Sequence, residues 1–444
     1  MDLRTRLLHL GLRRASDLPE PPRPRRERHV PLEEVVAGEW RATPDGRCFV
    51  AEQRFSLAYA HGSHRLSELL SLPQEVWSLA LDDAADAPLD VRQAVFVDTE
   101  TTGLSRGGGT FAFLIGLGAF EGDDFVLRQF FMPDYGEEPA LLGLAGEMLG
   151  AGHGLVSFNG RSFDWPILET RYVLAGRPPP IDPHPHLDLL LLARRLWRRC
   201  LASCALSALE EPLLGLERSH HDVPGYLIPG LYNAYVQQGD VEPMADVFYH
   251  NAMDILSLVT LAARAGHVLA TADAPTADPY RDPLALGILY ERTGRPEEAA
   301  RALQEAARSR DEDTAADAAR RLGLLLRRAG DHAAAMAVWE ESSARGDVTA
   351  AVELAKQYEH RLKDYAAALE IVEGAIARVE AGIPGLTRYA RARLLRELNH
   401  RRNRLARRLE RATRGGAGAE RDAAANAAGD AENGPSPGPA CGEG

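Results

Sequence analysis

Asp98 and Glu100 stand two residues apart in the stretch Val95-Phe96-Val97-Asp98-Thr99-Glu100-Thr101-Thr102-Gly103-Leu104. The β-branched and aromatic run from Ala94 to Val97 predicts a buried strand. Residues i and i+2 of a strand share a face, so the two carboxylates converge. Gly103 then permits a sharp turn. Like charges at the end of a central strand repel unless a divalent cation neutralises them. The chemistry this suggests is two-metal phosphoryl transfer, in which ions about 3.5–4 Å apart need roughly four acidic ligands plus water and substrate phosphate.

Two more acids complete that number. Leu155-Val156-Ser157-Phe158-Asn159-Gly160-Arg161-Ser162-Phe163-Asp164 reads as a short apolar strand running into a turn, with Asp164 opening a helix over Trp165 to Ala175. Val247 to Leu258 has helical apolar spacing and continues to about His267. His250 and Asp254 are four apart and therefore stack on one helix face.

Taken together, Asp98-Thr99-Glu100-Thr101-Thr102-Gly103-Leu104, Asn159-Gly160-Arg161-Ser162-Phe163-Asp164 and His250-Asn251-Ala252-Met253-Asp254 resemble the three motifs of the RNase H-like DEDD exonuclease superfamily. The resemblance is closest to a bacterial branch in which this domain precedes TPR-like helices. His186-Leu187-Asp188-Leu189-Leu190, Ser203-Cys204-Ala205-Leu206-Ser207-Ala208-Leu209-Glu210 and Asp222-Val223-Pro224-Gly225 are similar to that branch too. The likeness covers residues 90–270, and more weakly Phe55 to Leu72. It implies an α/β RNase H-like domain, a mixed sheet flanked by helices, that acts as a 3′–5′ exonuclease on DNA or RNA. Asp98, Glu100, Asp164 and Asp254 would hold two ions. Mg²⁺ or Mn²⁺ suits such an all-carboxylate set, whereas zinc favours His and Cys.

The last motif departs from both well-known subclasses, which carry a His five residues before the final Asp or a Tyr four before it. Here Tyr249 is five before Asp254 and His250 four before. His250 is the candidate general base, imidazole being the side chain that changes charge nearest neutral pH, and Tyr249 is the reserve. Thr101, Gly103, Asn159 and Ser162 are candidate substrate contacts, with turn formation an equal explanation for Asn159 and Ser162. Each feature alone has a plainer explanation: a solvated strand end, a turn, a helix cap, a satisfied histidine. Their conjunction in family order favours the site.

Other groups carry less. The run Ser105-Arg106-Gly107-Gly108-Gly109-Thr110 before a strand from Phe111 to Phe120 is either a hairpin loop or a close approach to a terminal nucleotide. It is no P-loop, since no Gly-Lys-Ser/Thr follows. Asp188, in a helical run from Leu187 to Trp197, is a supporting group or a cap. His184, His186, His220 and His221 read as solvated loop histidines. Cys200 and Cys204, spaced for one helix face, lack further ligands for a zinc site. With Cys48 and Cys441 they are the chain's four cysteines, which suits a reducing cytoplasm.

The 444 residues suffice for two or three domains. There is no apolar run of 18 residues, so no membrane span is expected, and no secretory signal is evident. Net charge is −13, against indiscriminate nucleic-acid binding. The basic residues cluster, however: Arg194, Arg195, Arg198 and Arg199, and ten arginines against two glutamates from Arg391 to Arg414. Either cluster is a phosphate contact or a solvated face. Residues 1–30 are Arg/Pro-rich and read as disordered. Residues 31–90, with strand-like pieces at Arg47 to Glu52 and Phe55 to Tyr59 and a helical stretch from Arg65 to Leu70, form an extension packing on the nuclease domain at 91–270. Ala270 to Pro279 is a linker.

Residues 280–413 are helical and repetitive. Turns at Gly294-Arg295-Pro296, Gly330-Asp331-His332 and Lys363-Asp364-Tyr365 recur after 36 and 33 residues, near the TPR period of about 34. The Arg391 to Arg411 helix would cap an all-α TPR-like stack, whose task is to bind a protein partner. Residues 415–444 read as a disordered tail. Two function classes follow: a metal-dependent exonuclease, and a nucleic-acid-binding adaptor with little turnover.

Overall fold

The structure, a computed structural model, describes residues 30–81, 88–103, 108–219, 222–271 and 278–431. Residues 1–29, Leu104 to Gly107 of the glycine run, His220, His221, most of the linker, Cys441 and the tail beyond Ala431 lie outside the described residues.

The chain divides into two compact units at Arg295/Pro296. That is later than the linker, because the helix Pro283–Arg292 packs on the first unit, against Leu189–Trp197. In the first unit the strands are β1 (Glu39–Thr43), β2 (Gly46–Ser56), β3 (Ala60–His61), β4 (His64–Arg65), β5 (Val95–Thr101), β6 (Ala112–Glu121), β7 (Asp124–Phe131), β8 (Leu155–Ser157) and β9 (His186–Asp188). Seven of them form one mixed sheet in the order β1-β2-β7-β6-β5-β8-β9, while β3 and β4 pair separately. β5 lies antiparallel to β6 and parallel to β8, which lies parallel to β9. The N-terminal extension therefore supplies two strands to the sheet instead of only packing on it; the piece expected at Arg47 to Glu52 and the start of the one at Phe55 to Tyr59 fall in one strand, which ends at Ser56.

Local chemistry explains the turns that set this register. Gly122, at φ 63°, closes the β6–β7 hairpin with Glu121 opposite Asp124. Helices α1 (Glu138–Gly150), α2 (Asp164–Leu174), α3 (Leu189–Trp197), α4 (Ile228–Gln238) and α5 (Met244–Ala270) flank the sheet. Side chains alternate along β7, so Arg128 meets Met148 of α1 while Gln129 meets Phe248 and Asn251 of α5; the two helices cover opposite faces. α5 sits close because β6 presents Gly116 and Gly118, where a Cβ would run into Asn251, Phe125 and Ile255. α5 is long and apolar enough to cross a membrane by length and composition, but 78% of that window is buried inside the protein, as in a core helix. α2 is fastened by the fully buried Arg171, which donates to Glu138 of α1 (2.5 and 2.7 Å) and to the carbonyl of Gly108 (2.8 Å).

Three expectations change here. The run from Leu187 is strand through Asp188, and the helix begins at Leu189. That helix ends at Trp197, so Cys200 and Cys204 fall beyond it and share no helix face. His186 is buried on β9, not solvated, with Nε2 2.7 Å from Ser157 Oγ. Burial pushes its pKa down to about 3, so it is neutral.

The second unit is helical: Pro296–Ala306, Glu312–Arg328, His332–Ala344, Val348–Gln357, Tyr365–Ala381 and Arg388–Ala431, each packed on its neighbours in sequence. Gly294, Gly330 and Lys363 occupy equivalent turns, all with positive φ (71°, 87° and 58°). Asp331 and Asp364, each following such a residue, cap the next helix through Ala334 N and Ala367 N. Gly323 leaves room for the buried Trp339 ring. The last helix runs to Ala431, into the stretch whose composition reads as a tail; its alanines are strong helix formers.

Candidate active site

β5 carries Asp98 and Glu100 on one face, with Thr99 and Thr101 turned the other way and buried. The strand continues through the acids, as their shared face requires, to Thr101, where the β6 register shifts by a bulge. Asp164, at the first turn of α2, reaches back to this strand. Its Oδ1 accepts from Thr99 N (3.1 Å) and Thr99 Oγ1 (2.6 Å). Asp254 and His250 enter from α5.

These acids crowd one another. Burial first, and then the charges of Asp254, Glu100 and Asp164, drive the Asp98 carboxyl well above its ordinary range. Glu100 is raised likewise, by burial and then by Asp254 and Asp164. Burial lifts Asp164 to about 6, against its bonds from Thr99. Four oxygen-donor acids held together at such electrostatic cost fit a hard divalent cation by donor type and charge. Among the described residues, no three His, Cys, Asp or Glu side chains stand arranged as a ready coordination shell. Two of the acids are instead turned onto other partners: Asp98 accepts from Asn251 Nδ2 (2.8 Å), and Asp254 from Arg218.

Asn251 is fully buried over Gly116, which lies opposite both Asp98 on β5 and Gln129 on β7. Its amide donates to Asp98 while its Oδ1 accepts from Gln129 Nε2 (2.9 Å), so one side chain orients the carboxylate across three strands.

His250 is held by Asp222, whose Oδ1 lies 2.7 Å from Nδ1. A carboxylate can only accept, so in the neutral imidazole Nδ1 carries the proton and Nε2 keeps the lone pair. Arg218 Nη1, 3.3 Å from the same nitrogen, then bonds more naturally to the Asp222 oxygens at 3.3 and 3.4 Å. Nε2 faces the acids, 3.7 Å from Asp254 Oδ2 and 4.0 Å from Glu100 Oε1. Tyr249, one residue earlier on the helix, makes no hydrogen bond to these groups among the described residues; successive helical residues point about 100° apart. The swapped order in the motif thus brings His250, and not Tyr249, to the carboxylates.

Arg218 is a feature the sequence did not bring forward. It bridges Asp254 and the buried Glu210 (2.5 and 2.7 Å), and Glu210 also accepts from Ser257 Oγ (2.6 Å), which meets His61 Nε2 at 2.9 Å. Burial works against the guanidinium charge, but Glu210 and Asp254 outweigh it and hold Arg218 firmly protonated. His61, pushed down to about 4 by burial, is neutral. The extension before β5 therefore reaches the support of the site through β3. Asp222 was visible only as part of a family-like segment, and no local pattern singled out Arg218.

The remaining candidates fall in two groups. Thr101 Oγ1 donates to the carbonyl of Gly103 (2.8 Å), shaping the turn. Asn159 is exposed in the left-handed region (φ 65°), and Ser162 is exposed beside it. Asp188 braces this turn by accepting from Asn159 N (2.8 Å) and Arg161 N (3.2 Å), and it caps α3 through Leu190 N (3.0 Å). Of the first arginine cluster, Arg195 donates to the carbonyl of Ala80 and Arg199 pairs with Asp282, while Arg194 and Arg198 are exposed.

Comparison with known proteins agrees with this architecture. A family model described as the RNase_H superfamily (RNase_H_2) matches residues 95–265, the span from β5 through most of α5. The uncharacterized protein YprB of Bacillus subtilis (strain 168) is 31% identical over 345 residues, covering 75% of this chain and 81% of YprB.

Proposed function

The chain belongs to the same family as YprB and carries an RNase_H superfamily domain, and from that premise we propose that it is a divalent-metal-dependent 3′–5′ exonuclease of the DEDD type, hydrolysing phosphodiesters of DNA or RNA. The observation that carries the reading is His250. Its tautomer is set by Asp222 and its free nitrogen faces a cluster of charge-strained carboxylates. A protein that only binds has no use for a base held in that way.

Asp98, Glu100, Asp164 and Asp254 would hold two Mg²⁺ or Mn²⁺ ions, which when bound lower the pKa of water and stabilise charge on phosphate oxygens. His250 Nε2 takes the proton from the attacking water, and Asp222 stabilises the imidazolium that forms. Asn251 and Thr99 keep Asp98 and Asp164 in place. Arg218 holds Asp254 through Oδ1, while His250 Nε2 lies nearer Oδ2, and it offsets part of the acidic charge. Thr101 and Gly103 shape the turn after the acids, and Asn159 and Ser162 offer exposed polar groups to the substrate. The C-terminal helices, read as TPR-like repeats, would recruit a protein partner, and the protein would work in the cytoplasm.

One observation favours the adaptor reading: Arg218 on Asp254 supplies a cation where an ion would otherwise do so. A time course on 5′-labelled single- and double-stranded DNA and RNA, with Mn²⁺, Mg²⁺ or EDTA and beside Asp98→Ala, separates the two. A metal-dependent ladder lost in the variant is expected. Binding without cleavage of any substrate would establish the adaptor instead.

A further inference from the structure

The last helix holds two populations of arginine. Arg401, Arg404 and Arg408 turn inward onto Glu359, whose carboxylate is fully buried, at 2.9, 2.8 and 3.2 Å. Arg391 donates to the carbonyl of Glu380, and Arg393 pairs with Glu397. These five have structural partners. Arg396, Arg402, Arg407, Arg411 and Arg414 have no ion pair or hydrogen bond among the described residues, and all but the half-exposed Arg402 are exposed.

Four of the five lie on one line. The positions Arg396, His400, Asn403, Arg407, Arg411 and Arg414 are separated by steps of four, three, four, four and three, which keep them on a single face of a 3.6-residue helix. All six are exposed. The opposite side of the helix contributes Leu398 and Leu405 to the apolar core with Val372 and Val379. The stripe is about 27 Å long at 1.5 Å per residue, a large part of one duplex turn of about 34 Å. Glu410 flanks it and offsets one charge. A predominantly basic stripe this long runs against the chain's net charge of −13. It is not needed for folding either, since the core and the Glu359 cluster already anchor the helix. Surfaces built for solubility intersperse both signs; this face carries four arginines with Glu410 at its edge.

We propose that the stripe Arg396–Arg407–Arg411–Arg414 is a sequence-independent phosphate-backbone site for nucleic acid. The proposal rests on the nuclease reading for its choice of polyanion, but its test does not depend on turnover. Guanidinium groups at helical spacing match a linear array of phosphates. Each phosphate they neutralise releases counterions, so binding weakens with salt.

The experiment uses the full chain carrying Asp98→Ala, in EDTA, so that nothing is cleaved. Fluorescence anisotropy with a labelled single-stranded 30-mer and its duplex is followed across a salt series. Changing all four arginines to Gln should weaken binding about tenfold or more. It should also flatten the log–log salt slope by up to ~0.9 for each phosphate the stripe no longer neutralises. Changing all four to Lys should restore most of both, as a structural role would not. Equal affinity and slope in the Gln variant would overturn the proposal, as would a Lys variant as weak as the Gln variant. So would a face that binds anionic phosphatidylserine vesicles while the Gln changes leave nucleic-acid binding intact. If the wild type proves unable to cleave, the same titration still decides whether the stripe binds.

Discussion

Glu359 in the helical unit and the Asp98–Glu100 pair in the sheet unit are acids withdrawn from water, yet their surroundings have opposite sign. Glu359 meets Arg401, Arg404 and Arg408. Burial works to raise its pKa, but the guanidinium bonds, Arg404 foremost, win and hold it below the usual range. Asp98 and Glu100 meet other acids, and both burial and charge push them up. The first arrangement is finished within the chain and stabilises it. The second is left incomplete at a cost in stability, and such sites are where a fold trades stability for function.

The comparison breaks most visibly at the metal ligands. Asp98→Ala, Glu100→Ala, Asp164→Ala and Asp254→Ala should each reduce Mn²⁺-dependent hydrolysis to background in the ladder assay. Full activity in any one would remove that residue from the site. Next in size, His250→Ala should slow hydrolysis by about 10²–10⁴-fold, and Asp222→Asn by about 10–100-fold through the mis-set imidazole. Tyr249→Phe should stay near wild type; a larger loss there than at His250 would reverse the assignment of the base.

Stability should then separate the two regions by sign. In EDTA near pH 7.5, Glu359→Gln should lower the unfolding free energy of its unit by about 2 kcal/mol. That is less than the ~3–5 for breaking a fully buried pair, because Arg404 and Arg408 are partly exposed. Asp98→Asn should raise stability by about 1 kcal/mol, since it removes charge repulsion while its Oδ1 can still accept from Asn251. Urea melts of both variants decide this, and a destabilised Asp98→Asn would mean that the acids are not in conflict.

The smallest effect is the pH window. A carboxyl whose folded pKa is raised contributes stability below its unfolded value, near 4, and loses it as pH rises through the folded value. Asp164 places that value at about 6, and Asp98 and Glu100 are raised as well. The metal-free protein should therefore lose some thermal stability as pH rises from about 4 through about 6, where Asp164 titrates. The gain in melting temperature on adding Mn²⁺ should grow over the same interval. A gain independent of pH would separate ion binding from these carboxyls.

Much of this was legible from local pattern. The strand before Asp98, the helix beginning near Asp164, and the stacking of His250 with Asp254 all follow from periodicities of two and 3.6, and the structure holds each of them. The recurring turns of the helical unit showed in their spacing, because each demands a left-handed residue followed by an aspartate cap or a proline. What escaped was pairing at a distance. β1 and β2 read as an outlying extension because nothing in their own residues says that β2 will lie beside β7. β7 and α1 went unassigned, though Gly122-Asp123 marks the hairpin that leads into them. His186, following Pro183 and Pro185, looked like a loop residue until β8 took it as a partner.

Chain order alone settles which side chains could do chemistry and which of their neighbours share a face, because strand and helix periodicity act within four residues. It also sets the helical repeat and its caps for the same reason. What each charge faces is settled in space. Arg218 reaches Asp254 across 36 residues, Asp222 reaches His250 across 28, and Asn251 reaches Asp98 across 153. Only the fold could separate the arginines of the last helix into those that meet Glu359 and those that face water. A carboxylate's free energy depends on every charge and dipole within a few ångströms, and the order of residues along the chain does not encode that distance.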